Sequence, residues 1–287
     1  MTSVTDSRPA RSEQEGAPGD AAPLLVADQI TVEFGGLLAL DEVTMSVGHG
    51  EVVGVIGPNG AGKTTLFNVI SGFVHPSSGR IVYRGAVLRR HHPHDLAKLG
   101  IARTLQGVGL CPGLTVHENV MLGAEPTLHS DLGSAFLGIW RSSREERRVG
   151  ARAMTVLDEL GAADYARRMP AALPYAIQKR TALARALMAE PRLLLLDEPA
   201  SGLSESEMDA LGSRVRGLTD RMSVLLVEHH MDLVMSVCDR LVVLNFGQVI
   251  AEGTPAVIRA NPDVATAYLG DPVHEDAPEG GRATDDA

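Results

Sequence analysis

A strand run at residues 51–56, a glycine-rich loop and a helix that begins near Gly62 and ends before Pro76 follow one another, and this succession constrains the fold more than any other segment. Residues 52–56 read Val-Val-Gly-Val-Ile, which suits a strand buried on both faces of a sheet. The next residues follow the pattern G-x-x-x-x-G-K-[ST]: Gly57, Pro58, Asn59, Gly60, Ala61, Gly62, Lys63 and Thr64, with Thr65 after them. Because a strand precedes the pattern and a helix follows it, the sequence predicts an α/β protein with a phosphate-binding loop.

The residue types in this loop are those that bind the phosphates of a nucleotide. Glycines allow backbone N–H groups to turn inward around phosphate oxygens, and the helix N-terminus adds its positive end. Lys63 brings a full charge to the β- and γ-phosphates, and the hydroxyl of Thr64 is a ligand for Mg²⁺. A glycine-rich turn that arose by chance is the alternative, and the flanking strand and helix argue against it. We therefore expect a nucleoside triphosphate bound together with Mg²⁺.

A run of four leucines at residues 193–196 leads directly into two acidic side chains, Asp197 and Glu198. Ligands of open α/β sheets bind at the carboxyl ends of the strands, which is the end that this pair occupies. Asp197 is expected to hold Mg²⁺ through water, and Glu198 to orient and polarise an attacking water. Most Asp-Glu pairs after strands are solvated caps, so it is the phosphate-binding loop that favours the functional interpretation.

Apolar runs and helical stretches alternate along the chain. The sequence predicts β-runs at residues 24–34, 42–47, 51–56, 80–84, 193–196, 224–227, 240–244 and 248–250, with a helical stretch from about 107 to 185. Short buried strands that alternate with helices form a largely parallel sheet. The pattern therefore predicts an α/β fold with a helical segment inserted in its middle.

Composition and charge exclude several classes of protein. The 287 residues are 44% hydrophobic and 22% charged, as in an ordinary globular protein, and the net charge of −10 argues against nucleic acid as the main partner. The two cysteines, Cys111 and Cys238, do not suggest a disulfide framework, which favours a reducing cytosol. No run approaches the roughly 18 apolar residues of a membrane span. A chain of this kind that works at a membrane must dock on something that spans it.

The two ends of the chain are polar. Residues 1–22 are rich in Pro, Gly and Ser, and residues 271–287 are acidic and contain two adjacent glycines. Neither segment can bury enough apolar surface to offset its ordering entropy. We expect a disordered tail at each end and a folded part at residues 23–270.

Three histidines around Pro93 could suggest a metal site. These residues are His91, His92 and His94. No cysteine or carboxylate lies at a convincing ligand spacing, and the proline indicates a loop. A solvated loop is therefore the favoured interpretation.

With these motifs in place, the sequence resembles the nucleotide-binding subunits of ABC transporters. Gln106, in Arg-Thr-Leu-Gln, matches the family's Q-loop glutamine, which contacts Mg²⁺ and the catalytic water, and His229 matches the switch histidine, which contacts the γ-phosphate. Residues 201–204 occupy the D-loop position. Phe34 lies where the family places an aromatic ring against adenine, and a buried strand-end residue is the alternative.

This resemblance implies an architecture and an activity. The fold would be a P-loop, RecA-like ABC ATPase core with an antiparallel β subdomain and an inserted α-helical subdomain at about residues 107–187. The activity would be hydrolysis of ATP with Mg²⁺ held by Thr64, Gln106 and Asp197. Glu198, His229 and Gln106 would act on the water and the γ-phosphate.

The signature motif departs from the family pattern L-S-G-G-Q. The matching residues 173–178 read Leu-Pro-Tyr-Ala-Ile-Gln, and the tyrosine resembles the branch that serves branched-chain amino acid import. In the family this loop presents backbone N–H groups to the γ-phosphate on the opposite subunit. Pro174 cannot supply the usual serine hydroxyl, and Ala176 adds a Cβ where backbone must approach phosphate. Both changes are expected to weaken that composite site without necessarily abolishing it.

Other segments resemble the same branch, and the similarity covers about residues 24–270. They are Phe34-Gly35-Gly36-Leu37-Leu38-Ala39-Leu40, the insertion around residues 133–148 and the ending from Gly253 to Gly270. The resemblance implies a peripheral subunit on the cytoplasmic face of the membrane. Its partners would be transmembrane permease subunits, a second ABC ATPase subunit in a homo- or heterodimer and, indirectly, an extracytoplasmic solute-binding protein.

Alternatives to an importer remain open from the residues alone. One is the ATPase of a lipid or lipopolysaccharide exporter, and another is a nucleotide-binding regulator with little turnover. A non-transport ABC protein acting on ribosomes or DNA is disfavoured, because such proteins carry two cassettes or long coiled-coil insertions and this chain has neither. The ATPase subunit does not contact the transported solute, so its residues do not identify that solute.

Overall fold

The computed structural model describes residues 22–104, 107–127 and 142–269. The predictions for Gln106, for residues 133–141 of the insertion and for the two tails fall outside these ranges, apart from Ala22 at the boundary. The division into an ATPase domain at 23–270 with a helical subdomain at about 107–187 stays a prediction.

Ten strands and nine α-helices make up the described part of the chain. The strands are β1 (Leu25–Phe34), β2 (Leu37–Val47), β3 (Val52–Ile56), β4 (Ser78–Tyr83), β5 (Ala86–Leu88), β6 (Ile101–Arg103), β7 (Leu193–Asp197), β8 (Ser223–Val227), β9 (Arg240–Asn245) and β10 (Gln248–Gly253). The helices are α1 (Lys63–Ile70), α2 (Leu96–Leu99), α3 (Val116–Met121), α4 (Ser142–Glu159), α5 (Tyr175–Leu187), α6 (Glu205–Gly217), α7 (Met231–Val237), α8 (Pro255–Ala260) and α9 (Pro262–Leu269).

A six-stranded, largely parallel sheet forms the centre, in the order β10-β9-β3-β8-β7-β6, with only β10 antiparallel to its neighbour. The apolar runs explain its position, because every residue of β3, β7 and β8 is buried. Along β3, Val52 and Ile56 face one core cluster, whereas Val53 and Val55 face the other. Strands buried on both faces place their carboxyl ends, and the loops that follow, at one edge of the sheet. The prediction of a largely parallel α/β sheet is confirmed.

A second, antiparallel sheet has the order β2-β1-β4-β5. Strand β2 begins at Leu37 rather than at the predicted Glu42, because Gly35 and Gly36 adopt φ of 55° and 88° and turn the chain back directly after β1. Strands β5 and β6 were not predicted, since three residues are too few to show a period. The β1–β2 turn brings Leu37 and Leu38 to the phosphate-binding loop.

Helices α3, α4 and α5 pack against one another beside the sheet. Their apolar faces share one core cluster, to which Val120, Leu157 and Leu183 belong. Helix α3 begins with a capping box, in which the Thr115 hydroxyl accepts the Glu118 N–H at 3.3 Å and the Glu118 carboxylate accepts the Thr115 N–H at 2.8 Å. Within the described part of the chain, every helix is too short or too polar to cross a bilayer.

Candidate functional site

The phosphate-binding loop joins β3 to α1 and requires glycine at its critical positions. Gly57, Gly60 and Gly62 have φ of 150°, 77° and 102°, a region that other residues rarely adopt. A Cβ on Gly57 would lie 2.1 Å from the Leu244 carbonyl oxygen, and one on Gly62 would lie 2.8 Å from that of Ala39. The loop is therefore enclosed by β9 and β2, and neither glycine has room for a side chain.

Lys63, the first residue of α1, is buried inside the curve of this loop. Its Nζ donates hydrogen bonds to the carbonyl oxygens of Gly57 at 2.7 Å and Pro58 at 2.8 Å. The next residue, Thr64, is exposed and lines the pocket in front of this loop. A buried ammonium inside a loop of backbone groups, with a helix N-terminus behind it, is an arrangement that binds anionic phosphate.

The pocket in front of the loop also contains Glu198 and the β1–β2 turn. Its lining consists of Leu37, Leu38, Ala39, Asn59, Gly60, Ala61, Gly62, Lys63, Thr64, Thr65, Glu198, Phe246 and Gly247. Phe34 ends β1 opposite Leu37 and is 50% exposed, but it is not among the residues that line this pocket, so its predicted contact with adenine stays a prediction. Phe246 is 86% exposed in the β9–β10 turn and was not singled out in the sequence, since exposed turn residues carry no periodic signal.

Asp197, the last residue of β7, is almost fully buried. Its Oδ2 forms an ion pair with Arg103 Nη2 at 3.0 Å, and Arg103 Nη1 donates to Asn68 Oδ1 at 2.9 Å. The guanidinium also stacks over the Phe67 ring at 4.7 Å. Arg103 was not predicted as a site residue, although it lies three positions before Gln106 in the sequence. The hydroxyl of Thr64 and the carboxylate of Asp197 are hard oxygen donors, the kind that suits Mg²⁺.

Glu198 adopts a left-handed backbone conformation with φ of 45°, and its N–H donates to the Val227 carbonyl at 2.9 Å. Parallel pairing of β7 with β8 therefore brings the ends of the two strands together. His229, two residues after β8, places its Nδ1 3.9 Å from Glu198 Oε1. The structure thus brings together two of the three predicted catalytic side chains, and the third, Gln106, is outside the described residues.

Between β8 and His229 lies Glu228, a fully buried carboxylate that the sequence analysis did not assign. Its Oε1 accepts the Ala200 N–H at 2.8 Å, and its Oε2 accepts the N–H groups of His229 at 2.8 Å and His230 at 3.2 Å. The Nδ1 of His230 lies 2.9 Å from the same Oε2. Burial by itself would raise the pKa of Glu228, but these hydrogen bonds outweigh it and the pKa lies below its ordinary value.

Glu228, His229 and His230 also present ligand atoms within 4.8 Å of one another. Both carboxylate oxygens of Glu228 are already acceptors in the hydrogen bonds described above, so a cation would have to displace donors. The three residues therefore form a hydrogen-bonded cluster. A solvated loop was predicted for the histidines near Pro93, but Pro93–Asp95 form a short 3-10 helix that includes His94. The His92 and His94 rings stack at 5.4 Å, and His91 Nε2 contacts the Ile70 carbonyl at 2.9 Å.

The signature residues lie at the start of α5. Pro174 precedes the helix, and Tyr175 is 41% exposed. Ala176 is buried and lines a pocket together with Lys179 and Leu196. The expected weakening of the composite site by Pro174 and Ala176 stays a prediction.

Comparisons with known proteins agree with this geometry. Residues 40–201 match the family model of the ABC transporter, and residues 248–274 match the model of the branched-chain amino acid ATP-binding cassette transporter.

Several curated proteins are similar over nearly their whole lengths. The high-affinity branched-chain amino acid transport ATP-binding protein BraF of Pseudomonas aeruginosa is 41% identical over 255 residues, covering 87% of this chain and 98% of that protein. The corresponding protein LivG of Escherichia coli K12 is 39% identical over 251 residues, with coverage of 87% and 98%.

Solved structures show the same fold. A nucleotide-free ATP-binding cassette from an ABC transporter superposes with a TM-score of 0.75 at 32% identity, covering 87% of this chain and 100% of that one. A cassette in its ADP conformation superposes with a TM-score of 0.76 at 32% identity, covering 88% and 100%. The predicted ABC ATPase fold is confirmed, and the chain belongs to the ABC transporter family as one of its ATP-hydrolysing subunits.

Proposed function

We propose that ATP hydrolysis by this chain powers the import of branched-chain or related amino acids through a membrane transporter. The observation that carries the proposal is the pocket in which the phosphate-binding loop faces Glu198, with His229 beside it. The names of the similar proteins and the match of residues 248–274 support amino acid import over a lipid exporter or a low-turnover regulator.

Nucleotide binding follows from the loop. Backbone N–H groups of residues 59–64 surround the phosphates, and Lys63 Nζ exchanges its two carbonyl contacts for β- and γ-phosphate oxygens. Phe34 stacks on the adenine. Thr64, Asp197 and Gln106 would hold Mg²⁺, which when bound would supply neutralising charge to the phosphate oxygens.

Hydrolysis requires a water molecule in line with the γ-phosphate. Glu198 accepts a hydrogen bond from that water and orients it, because its carboxylate lies at the strand end that faces the loop. His229 contacts the γ-phosphate. Its Nδ1 lies 3.9 Å from Glu198 Oε1, so both side chains can act at the same γ-phosphate.

A groove between α2, β6 and α5 is the proposed docking place for a permease subunit. It is lined by apolar and small side chains that include Phe73, Leu96, Ala97, Leu122 and Ala186. Phe73 and Leu122 are exposed although they are large and apolar. Arg103 and Thr104, which precede Gln106 in the chain, also line the groove. Docking there would place the subunit on the cytoplasmic face of the membrane as a peripheral protein.

The remaining partners follow from an ATP site to which two ATPase subunits contribute. A second ATPase subunit, identical or different, would place its signature helix against the ATP held by this chain's loop. The solute-binding protein outside the membrane would act indirectly, through the permeases. Closure of the two ATPases around ATP, and opening after hydrolysis, would change the access of the permeases because the closed pair binds ATP better than ADP.

The test uses the complete complex reconstituted in vesicles with its permeases and binding protein. We expect ATP-dependent uptake of leucine, isoleucine or valine, and we expect Glu198→Gln to lower hydrolysis by about 100-fold or more while ATP still binds. Glu205→Gln, an exposed position in the first turn of α6, is the matched control. Hydrolysis at the normal rate in the Glu198 variant would refute the role of Glu198. A complex that hydrolyses ATP and takes up none of these amino acids would refute the solute class.

A further inference from the structure

Two charged side chains from different elements hold the main chain on either side of Pro199. Lys179 Nζ donates to the carbonyl oxygens of Glu198 at 3.0 Å and Pro199 at 2.9 Å. The carboxylate of Glu228 accepts the N–H of Ala200 at 2.8 Å. The path of the backbone that carries Glu198 is therefore determined by contacts with helix α5 on one side and with the β8–α7 loop on the other.

Glu198 needs such support because its backbone is strained. Its φ of 45° lies in the left-handed region, where a residue with a side chain persists only if its surroundings impose that conformation. Its N–H is held by the Val227 carbonyl, and its own carbonyl is one of the two that Lys179 binds. Loss of the Lys179 contact would leave the carbonyl side of this residue free to relax, and the carboxylate would move with it.

Lys179 belongs to the helix that begins with the signature residues. Its ammonium lies 5.3 Å from the centre of the Tyr175 ring, one turn earlier in α5. The same ring packs against Gly202, where an added Cβ would lie 3.0 Å from Tyr175 Cε1. Helix α5 thus contacts the segment after β7 at two places, and a shift of its N-terminus would be transmitted to both.

Lys179 is half-buried where it makes this contact. Burial lowers the pKa of Lys179, although the nearby charges of Glu228 and Glu198 oppose that effect. Its two hydrogen bonds go to main-chain carbonyls, and Glu228 is engaged with backbone N–H groups instead. A partly desolvated ammonium is therefore used to fix the backbone.

We propose that Lys179 is a positioning residue that couples the two ATP sites of the transporter. The inference rests on the proposed function, in which the start of α5 meets the partner's ATP whereas Glu198 acts on the ATP of its own chain. Seating of the partner's nucleotide against Pro174 and Tyr175 sets the position of α5, and Lys179 transmits that position to the backbone of Glu198. Hydrolysis in one site then depends on occupancy of the other.

The experiment compares three variants in the reconstituted complex. Lys179→Met removes the charge and keeps the length, Lys179→Arg restores a donor, and Arg180→Met is the matched control. Arg180 is the next residue in α5 and donates to the Gly161 carbonyl at 3.3 Å, a main-chain contact that does not involve the segment after β7. The measurements are kcat, KM and the Hill coefficient for MgATP, together with ATP affinity and melting temperature of the isolated chain.

We expect Lys179→Met to lower kcat by roughly 10- to 100-fold, as for a small displacement of a catalytic group. The Hill coefficient should fall to about one, because coupling between sites is lost. ATP affinity of the isolated chain should stay within about twofold, since the phosphate-binding loop is untouched. Lys179→Arg should restore both kcat and cooperativity, and Arg180→Met should behave as the unmodified chain.

Three results would overturn the proposal. The first is an unmodified complex with a Hill coefficient of one, and the second is a Lys179→Met complex with unchanged kcat and cooperativity. The third is a parallel loss of ATP affinity and melting temperature in both Lys179 variants, which would indicate a structural role only. The solute class fails separately, because a complex in which hydrolysis depends on Lys179 as expected and which transports no branched-chain amino acid refutes only the solute.

Discussion

Glu228→Gln tests whether the buried carboxylate holds the segment after β7 and the switch histidine together. Oε2 accepts three donors, and Oε1 accepts the Ala200 N–H alone. A glutamine has one amide oxygen, which should take the position with three donors. Its NH₂ group then faces the N–H of Ala200, so one buried hydrogen bond is lost and two donors oppose each other. This costs about 1–3 kcal/mol of the free energy of unfolding at neutral pH.

The pH dependence gives an independent check. Hydrogen bonds keep the pKa of Glu228 below its ordinary value of 4.5 despite burial, which acts in the opposite direction. A carboxyl whose pKa is depressed in the folded state contributes stability above its unfolded pKa and loses it as the pH falls through the folded pKa. The unmodified chain should therefore lose this contribution below about pH 4.5, whereas the glutamine variant has no such proton to gain. The difference between the two proteins should narrow on acidification.

The assay is thermal and urea denaturation of the purified chain between neutral and acidic pH. Each kcal/mol corresponds to about 2–4 °C in melting temperature for a domain of this size. Glu207→Gln, the same substitution in the capping box of α6, is the control and should change little because glutamine also accepts the Ser204 N–H. A Glu228 variant within about 0.5 kcal/mol of the unmodified chain, with no change across pH, would refute the hydrogen-bond reasoning.

Two further substitutions test the site. Gly57→Ala should abolish nucleotide binding and lower stability, because its Cβ would lie 2.1 Å from the Leu244 carbonyl oxygen, and normal ATP affinity would contradict the enclosed loop. Arg103→Met leaves the carboxylate of Asp197 buried without its 3.0 Å partner and should cost about 3–5 kcal/mol in denaturation experiments. A neutral Arg103→Met variant would show that the ion pair does not support Asp197.

Part of the candidate site could be predicted because the residues that would bind the phosphates are consecutive in the chain. Residues 57–64 follow one pattern, and the strand before it and the helix after it identify that pattern as a phosphate-binding loop. Asp197 and Glu198 were assigned for a related reason, since a buried strand delivers the residues that follow it to the sheet edge. The largely parallel sheet followed from the same all-apolar runs.

Other parts required the folded chain, because they depend on residues far apart in sequence. No local pattern pairs Arg103 with Asp197, which are 94 positions apart, or Glu228 with the N–H of Ala200, 28 positions away. Parallel strands bring these groups together only through long crossover connections, and register determines which side chains meet. The sequence by itself determined which chemistry is present, whereas tertiary packing determined which buried charges support it.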